Sequence, residues 1–333
     1  MQRWIQAWNA YWFPRTDTRF LAISRIVAVA AQLFWFFPHL DYNLNLLTKN
    51  TEFMDPQPLI RAIAAVVPRE VFFTPTTLTT IYWVTLIAGV TALLGFLTRL
   101  SLFVFALGIW FFVSHQYSYG DIHHTEAVFC IFLLALAFAP SGRSLSLDAL
   151  IRSRRARAAG TSRERSEAGD RVDTAMWPLK LAHVLLAMTY FSTGATKLIS
   201  GGLAWMNGYT LQAYTFGDAM ARGFPVGIWL GQHYTVCVLL SIFTIAFESL
   251  FFLSLFFPRV APLFFLNGIF FQIGLFASAG HPFFQHIVLL TLLLFFINPR
   301  WWQTLVDKSR NRSSRSKAEA FSRTSPNEAS LAG

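Results

Sequence analysis

Eight long apolar stretches with very few charges constrain this chain more than any other feature. They cover Phe20–Phe37, Leu78–Leu97, Leu100–Ser114, Ile122–Ala139, Trp177–Leu198, Val236–Phe257, Val260–Ala277 and Gly280–Ile297. A helix of about 20 mostly apolar residues spans the hydrocarbon core of a bilayer. The stretches are continuous, whereas the strands of a membrane β-barrel alternate apolar and polar residues. We therefore predict an all-α, polytopic membrane helix bundle with about eight transmembrane helices.

The composition supports a membrane protein. Of the 333 residues, 54% are apolar and only 13% are charged, against about a quarter charged in soluble domains. The only two cysteines, Cys130 and Cys237, lie inside apolar stretches, which excludes a disulfide framework and a cysteine-based metal centre. A net charge of +10 would suggest nucleic acid in a soluble protein. Here the basic residues lie between apolar stretches, so we expect the lipid bilayer, and not nucleic acid, as the partner.

The basic residues predict how the chain is oriented. With the N-terminus inside, 20 of the 27 Lys and Arg residues fall on the cytoplasmic side and four fall outside. Positive charge is retained in short cytoplasmic loops. We therefore expect a multi-pass protein of the cell (inner) membrane whose N- and C-termini are both cytoplasmic.

The polar parts of the chain suggest its domain organisation. Trp4, Trp8 and Trp12 recur at helical spacing near the start, as in an amphipathic helix that lies in the membrane interface. Two segments rich in Arg and Ser resemble flexible cytoplasmic segments. The predicted organisation is an interfacial segment at 1–17, a transmembrane domain at 18–300 with a flexible basic loop at 141–176, and a basic tail at 301–333.

Ionisable residues inside the apolar stretches are the first candidates for function. A charge at the bilayer centre costs about 2.5–3.5 kcal/mol on insertion scales, so such residues are retained for function or for pairing. Lys197 could instead be an anchor whose amine reaches the outer headgroups, and Glu248 could form a structural hydrogen bond to a neighbouring helix. Asn267 and Gln272 are most simply explained as hydrogen-bonding groups between helices.

The histidines also concentrate at one end. Seven of the eight lie at or near the predicted outer face, which suggests a shared outward-facing cavity, and only His183 lies toward the inside. Glu126 follows His123 by three positions, so the two share a helix face. A metal site formed by His123, His124 and Glu126 is an alternative. Its spacing is not diagnostic, because Ala127 replaces the second histidine of the H-x-x-E-H pattern, and we predict no metal.

Three motifs in a consistent order resemble one family. Tyr190-Phe-Ser-Thr-Gly-Ala-Thr-Lys197-Leu, followed by Trp205 and Gly208-Tyr209, is similar to the membrane part of vitamin K-dependent gamma-carboxylase and to its bacterial relatives, the horizontally transferred transmembrane (HTTM) domain proteins. His124 followed by Ser146-Leu-Asp148 resembles the family's fourth-helix pattern. Leu266-Asn-Gly-Ile-Phe-Phe-Gln-Ile-Gly-Leu-Phe276 resembles a late helix with Asn at the same place. The resemblance spans residues 18–300.

The resemblance implies a catalytic role for two residues. Lys197 occupies the position of the Lys that acts as a base toward a reduced quinone, and His124, or His123 in an alternative register, is the assisting histidine. It also implies that His123, Glu126, Trp205 and Asn267 contribute to binding a cofactor, a membrane quinol. Phe264 stands where the family pattern has a histidine before Asn267.

Two classes of function remain open at this stage. The first is a membrane enzyme, a gamma-carboxylase-like lyase or quinol-dependent oxygenation, that uses Lys197 as base in an outward-facing cavity. The second is a non-enzymatic carrier, or a partner subunit of a separately encoded protein. The large domain that binds the carboxylase's protein substrate has no counterpart in the 333 residues, so we do not carry over glutamyl carboxylation. A base should not tolerate Arg at position 197, whereas an anchor should.

Overall fold

The computed structural model describes residues 2–13, 16–49, 52, 54–120, 124–158, 171–172 and 176–297. The described chain is helical apart from a two-residue antiparallel pairing of Thr16–Asp17 with Arg171–Val172. This confirms the predicted all-α bundle. The predicted tail at 301–333 lies outside the described residues.

Sixteen α-helices are described, and we number them in chain order. They are α1 Gln2–Trp12, α2 Thr18–Phe34, α3 Leu40–Leu46, α4 Pro58–Ala64, α5 Arg69–Phe72, α6 Pro75–Leu94, α7 Thr98–Tyr117, α8 His124–Phe138, α9 Leu147–Ala158, α10 Trp177–Gly201, α11 Tyr209–Arg222, α12 Pro225–Gly231, α13 Tyr234–Leu250, α14 Leu253–Phe256, α15 Ala261–Ala279 and α16 Phe284–Phe296. A 3₁₀ helix at Gly202–Asn207 links α10 to α11.

Each of the eight predicted spans coincides with a helix, but fewer than eight satisfy the requirements for a crossing. Among the described residues, α6, α7 and α15 are long and apolar enough by themselves, and α12 with α13 would make a fourth if that bent pair forms one span. The described residues therefore contain fewer clear membrane-spanning helices than the eight predicted. The shortfall has two causes: α2, α8 and α16 have at most 17 residues, or about 26 Å at 1.5 Å per residue, and α10 is long but carries polar side chains.

The buried core joins helices from both halves of the chain. Helix α7 packs between α6 and α8, and α10 packs on α8, α13 and α16. The largest cluster of buried apolar side chains includes Phe105 on α7, Phe132 on α8, Leu186 on α10 and Leu290 on α16. Helix α10 therefore packs on helices from both halves of the chain.

The segment at 141–176 contains more order than the predicted flexible loop. Residues 147–158 form α9, because Leu, Ala and Arg favour helix and Ser146 caps its start by accepting a 2.9 Å hydrogen bond from the N–H of Ala149. Arg25 of α2 holds the preceding turn by donating to the carbonyl oxygens of Ser141 and Leu145. The first half of this segment therefore contains a helix that the sequence analysis did not predict, and the flexibility of the loop stays a prediction.

Two features at the ends of the bundle bear on function. Helix α1 exposes Trp4 and Trp8, as an interfacial helix would, and contacts the start of α10 where the Lys180 amine lies 4.6 Å from the centre of the Tyr11 ring. The axes of α12 and α13 meet at 102° across a short break. The second of these helices carries Glu248.

Candidate functional site

Lys197 and Glu248 form an ion pair between α10 and α13. The Lys197 Nζ lies 2.6 Å from Oε1 and 2.5 Å from Oε2 of Glu248, so the ammonium donates to both carboxylate oxygens. The Glu248 side chain is 5% exposed and that of Lys197 is 25% exposed. The Glu248 side chain is thus enclosed by protein, while the Lys197 side chain is partly open.

A glycine allows the two helices to approach closely enough for this pair. Gly194 precedes Lys197 by one helical turn, and a Cβ at this position would lie 2.7 Å from the backbone nitrogen of Ser249 and 3.0 Å from the Cβ of Glu248. Real Cβ atoms do not approach other atoms at 2.7 Å, so only glycine fits here. The spacing Gly-x-x-Lys therefore has a packing cause: it removes a side chain where α13 passes and places the amine beside Glu248.

Trp205 lies beside the Lys197 amine. The chain leaves α10 at Gly202, which has a φ of +56° that favours glycine, and turns back through the 3₁₀ helix. This turn places the Trp205 indole with its centre 5.2 Å from the Lys197 Nζ. A cation within about 6 Å of an indole is attracted by the electron-rich ring face. Sequence analysis named both residues, and the structure brings them together.

A second group of polar side chains includes Tyr190, which lies two helical turns before Lys197 on the same face of α10. Tyr190 is one position of an i, i+4, i+7 stripe that continues through Gly194 and Lys197, and its hydroxyl accepts a 2.7 Å hydrogen bond from the Gln272 side-chain amide on α15. The same amide lies 3.3 Å from Nδ1 of His286 on α16. Tyr190, Gln272 and His286 are all buried. They extend the polar path from α10 into the centre of the bundle.

Aromatic rings surround this polar path. The Tyr190 ring stacks on Phe251 with ring centres 4.5 Å apart, and contacts Phe247 and Phe271 edge-on with ring centres 5.3 and 6.4 Å away. Within the described part of the chain, the buried Gln272 Oε1 and Ser249 Oγ have no hydrogen-bond partner. Buried polar groups normally find a partner, so these two atoms are exceptions in an otherwise apolar region.

The remaining predicted site residues lie elsewhere or outside the description. Glu126, predicted to contribute to cofactor binding, lies at the start of α8, where its carboxylate accepts hydrogen bonds from Tyr117 at 2.6 Å and Thr125 at 3.1 Å. Asn267 is half-buried on α15 and makes no hydrogen bond to the residues that the structure describes. His124 begins α8, but its side chain and the whole of His123 lie outside the described residues. No cluster of three metal-binding side chains occurs in the described ranges.

Comparison with known protein families gives a match that covers most of the chain. The family model described as "HTTM domain" matches residues 13–301. The chain belongs to the HTTM domain family. The match covers every element from α2 to α16, so the Lys197–Glu248 pair lies inside the HTTM domain. No curated protein and no solved structure matches the chain.

Sequence reasoning missed the partners within this HTTM domain. Glu248 and Lys197 were each singled out, but they are 51 residues apart, and the orientation of two helices about their axes is not readable from either helix alone. A usable signal was present in Gly194, since a small residue one turn before an intramembrane charge indicates close helix approach. Tyr190 and His286 carried no signal that separated them from other polar residues.

Proposed function

We propose that this HTTM protein is a membrane enzyme in which Lys197 takes a proton from a lipid-soluble substrate, with Glu248 holding the amine in place. The observation that carries this proposal is the asymmetric burial of the pair, in which a 5% exposed Glu248 side chain holds the amine of a 25% exposed Lys197 side chain. An ion pair with only a structural purpose has no need of an open side. The family resemblance favours a quinol as the substrate class.

A proton transfer within the ion pair would leave both side chains neutral. When Glu248 takes one ammonium proton, the pair becomes a neutral amine and a carboxylic acid, and low-dielectric surroundings favour that form over two separate charges. A substrate hydroxyl then gives its proton to the Lys197 nitrogen and becomes an oxyanion beside the new ammonium. Glu248 keeps its proton, so atoms and charge balance. Glu248 is in this scheme a positioning residue that stores a proton.

The surroundings suit a flat, weakly polar ring. The Trp205 indole and the aromatic groups around Tyr190 offer stacking partners. The free oxygen of Gln272 and the hydroxyl of Ser249 can hydrogen-bond to the substrate oxygens. A quinol carries two such oxygens on an aromatic ring and reaches the site from the bilayer.

The test is quinol-dependent oxygen uptake by the purified chain in liposomes, with a reduced short-chain ubiquinone or menaquinone as the probe. We expect Lys197→Arg to abolish the uptake, because Arg keeps the charge but does not release its proton. Lys180→Arg, a matched change at the other end of α10, should retain it. Loss of a single acid–base group costs about 10²–10⁴-fold in rate. Full activity in Lys197→Arg, or no uptake by the unaltered protein, would reject the enzyme.

One observation favours a second candidate, a carrier. Transporters often bind their substrate where a helix is broken, and the α12–α13 pair is bent by 102° just before the helix that holds Glu248. A carrier would bind the same quinol without consuming oxygen. It would also keep function in Lys197→Arg, since a charge alone suffices for binding.

A further inference from the structure

A cavity at the opposite end of the bundle from Lys197 is lined by four arginines. It measures about 580 Å³ and lies between the start of α7, the turn after α8 and α9. The arginines that line it are Arg99, Arg143, Arg152 and Arg155. Its volume lies in the range of about 300–1,000 Å³ that is typical of small-ligand sites. We name it the arginine cavity.

One carboxylate lines the arginine cavity, and it is already engaged. Asp148 accepts hydrogen bonds from the N–H groups of Leu97 at 3.0 Å and Thr98 at 2.8 Å, and from the Thr98 hydroxyl at 2.7 Å. Burial raises the pKa of Asp148, but these hydrogen bonds and the charge of Arg152 outweigh burial and leave the pKa below its usual value. The carboxylate is therefore ionised and holds the N-terminus of α7.

The arginines differ in how far they are engaged. Arg152 donates to the carbonyl oxygens of Gly142 at 2.9 Å and Arg143 at 3.1 Å, and so links α9 to the turn that precedes it. Arg99, the Arg143 side chain and Arg155 have no hydrogen-bond or ion-pair partner among the described residues. Three guanidinium groups without a protein partner among the described residues thus line a cavity whose single carboxylate, Asp148, is already hydrogen-bonded to α7.

The wall of the cavity is fixed rather than loose. The guanidinium group of Arg25 is buried behind the turn and donates to Ser141 O at 3.0 Å and Leu145 O at 2.6 Å. Gly142 lies against Thr98, where an added Cβ would be 2.4 Å from the Thr98 hydroxyl oxygen. The backbone of the turn, which carries Arg143, is therefore held on α2 and α7.

Exposed apolar side chains border the arginines. Leu100 is 60% exposed and Ile151 37% exposed, and both line the cavity together with Phe96. A soluble anion needs the arginines but gains nothing from these apolar groups. A ligand with a phosphate at one end and an acyl chain at the other contacts both. Basic pockets between helices at the cytoplasmic face bind acidic lipid headgroups, and the basic residues predict that face for this end.

We propose that the arginine cavity is a binding site for the phosphate headgroup of an anionic phospholipid in the inner leaflet. The guanidinium groups of Arg99, Arg143 and Arg155 bind the phosphate oxygens, for which their planar, forked geometry is suited. Leu100 and Ile151 contact the first part of the acyl chains. The site is separate from the Lys197–Glu248 pair and does not depend on the proposed enzymatic function.

The test is native mass spectrometry of the full chain with equimolar phosphatidylglycerol and phosphatidylcholine. We expect the unaltered protein to retain phosphatidylglycerol at least tenfold more strongly. Arg143→Gln with Arg155→Gln should lose this preference. Arg154→Gln with Arg157→Gln, which removes two α9 arginines that do not line the cavity, should keep it. Equal losses in both double variants would show that general positive charge attracts the lipid, and would overturn the proposal.

A second measurement does not depend on any variant folding. Glycerol phosphate and inorganic phosphate, each in excess, are added to the unaltered protein with phosphatidylglycerol bound. We expect neither to displace the lipid fully, because neither contacts the apolar border. Complete displacement by inorganic phosphate would assign the cavity to a soluble anion. Equal retention of phosphatidylglycerol and phosphatidylcholine would show that the cavity does not bind an anionic headgroup.

Discussion

At the scale of single residues, the position of Gly194 decides whether the Lys197–Glu248 pair forms. Because Gly194 has no side chain, α13 can lie close to α10. A Cβ added at position 194 would lie 2.7 Å from the backbone nitrogen of Ser249 and 3.0 Å from the Cβ of Glu248. Sequence analysis identified both charged residues from the cost of intramembrane charge, but not their contact. The reason is physical: spacing along a chain fixes which residues share a face of one helix, whereas contact between helices depends on packing.

Gly194→Ala should therefore destabilise the protein and separate the ion pair. The added methyl group overlaps backbone atoms of α13, and overpacking of this kind costs about 1–3 kcal/mol. Gly274→Ala on α15 is the matched control, since nothing lies within 4 Å of its added Cβ. We expect the control to be neutral or stabilising by about 0.4–1 kcal/mol. Thermal unfolding in detergent measures both, and equal effects would contradict the close approach.

Removing one partner of the pair should cost more than removing both. Glu248→Ala leaves the Lys197 ammonium without its counter-ion, which for a buried pair costs about 3–5 kcal/mol. The 25% exposure of the Lys197 side chain places the expected loss at the lower end of that range. Lys197→Met combined with Glu248→Ala should recover part of this loss in denaturant unfolding. Strictly additive losses would mean that the two side chains do not interact.

At the scale of elements, the helices were predictable and their ends were less so. All eight apolar stretches coincide with helices because continuous apolar composition requires internal backbone hydrogen bonding in a membrane. Helix α9 was not predicted because its sequence is rich in arginine, and flexible basic segments have a similar composition. Its Ser146 cap and its Leu and Ala content were the signals for helix.

Asp148 should make the N-terminus of α7 sensitive to acid. Because its folded pKa lies below the unfolded value, its contribution is present at neutral pH and is lost as pH falls below about 4 toward the folded pKa. Asp148→Ala should cost about 0.5–2 kcal/mol at pH 7, as loss of an N-cap does. The variant should also lose less stability than the unaltered protein between pH 5 and 3. Parallel pH curves would show that the carboxylate does not cap α7.

At the scale of the whole molecule, the membrane topology remains a prediction from charge. The match to an HTTM domain and the apolar helices support a membrane protein, while the three or four clear spans do not fix the number of crossings. Cytoplasmic termini and an even number of crossings follow only from the distribution of Lys and Arg. The short helices need the lipid or their neighbours to accommodate the mismatch in length.

Cysteine labelling in intact cells tests this topology. Both native cysteines are buried, so introduced thiols report alone. We expect Lys49→Cys, in the predicted outer segment between α3 and α4, to react with a membrane-impermeant thiol reagent, and Ala158→Cys at the end of α9 to react only after lysis. The reverse pattern would invert the bundle and place the arginine cavity in the outer leaflet.

The most direct test of the account is the exchange of the two charges at the Lys197–Glu248 site. Lys197→Glu with Glu248→Lys restores an ion pair, so stability should return close to that of the unaltered protein. Quinol-dependent oxygen uptake should stay absent, because the amine would then occupy the 5% exposed position and the carboxylate the 25% exposed one. Recovery of uptake together with stability would show that any ion pair suffices here, and would contradict Lys197 as the base.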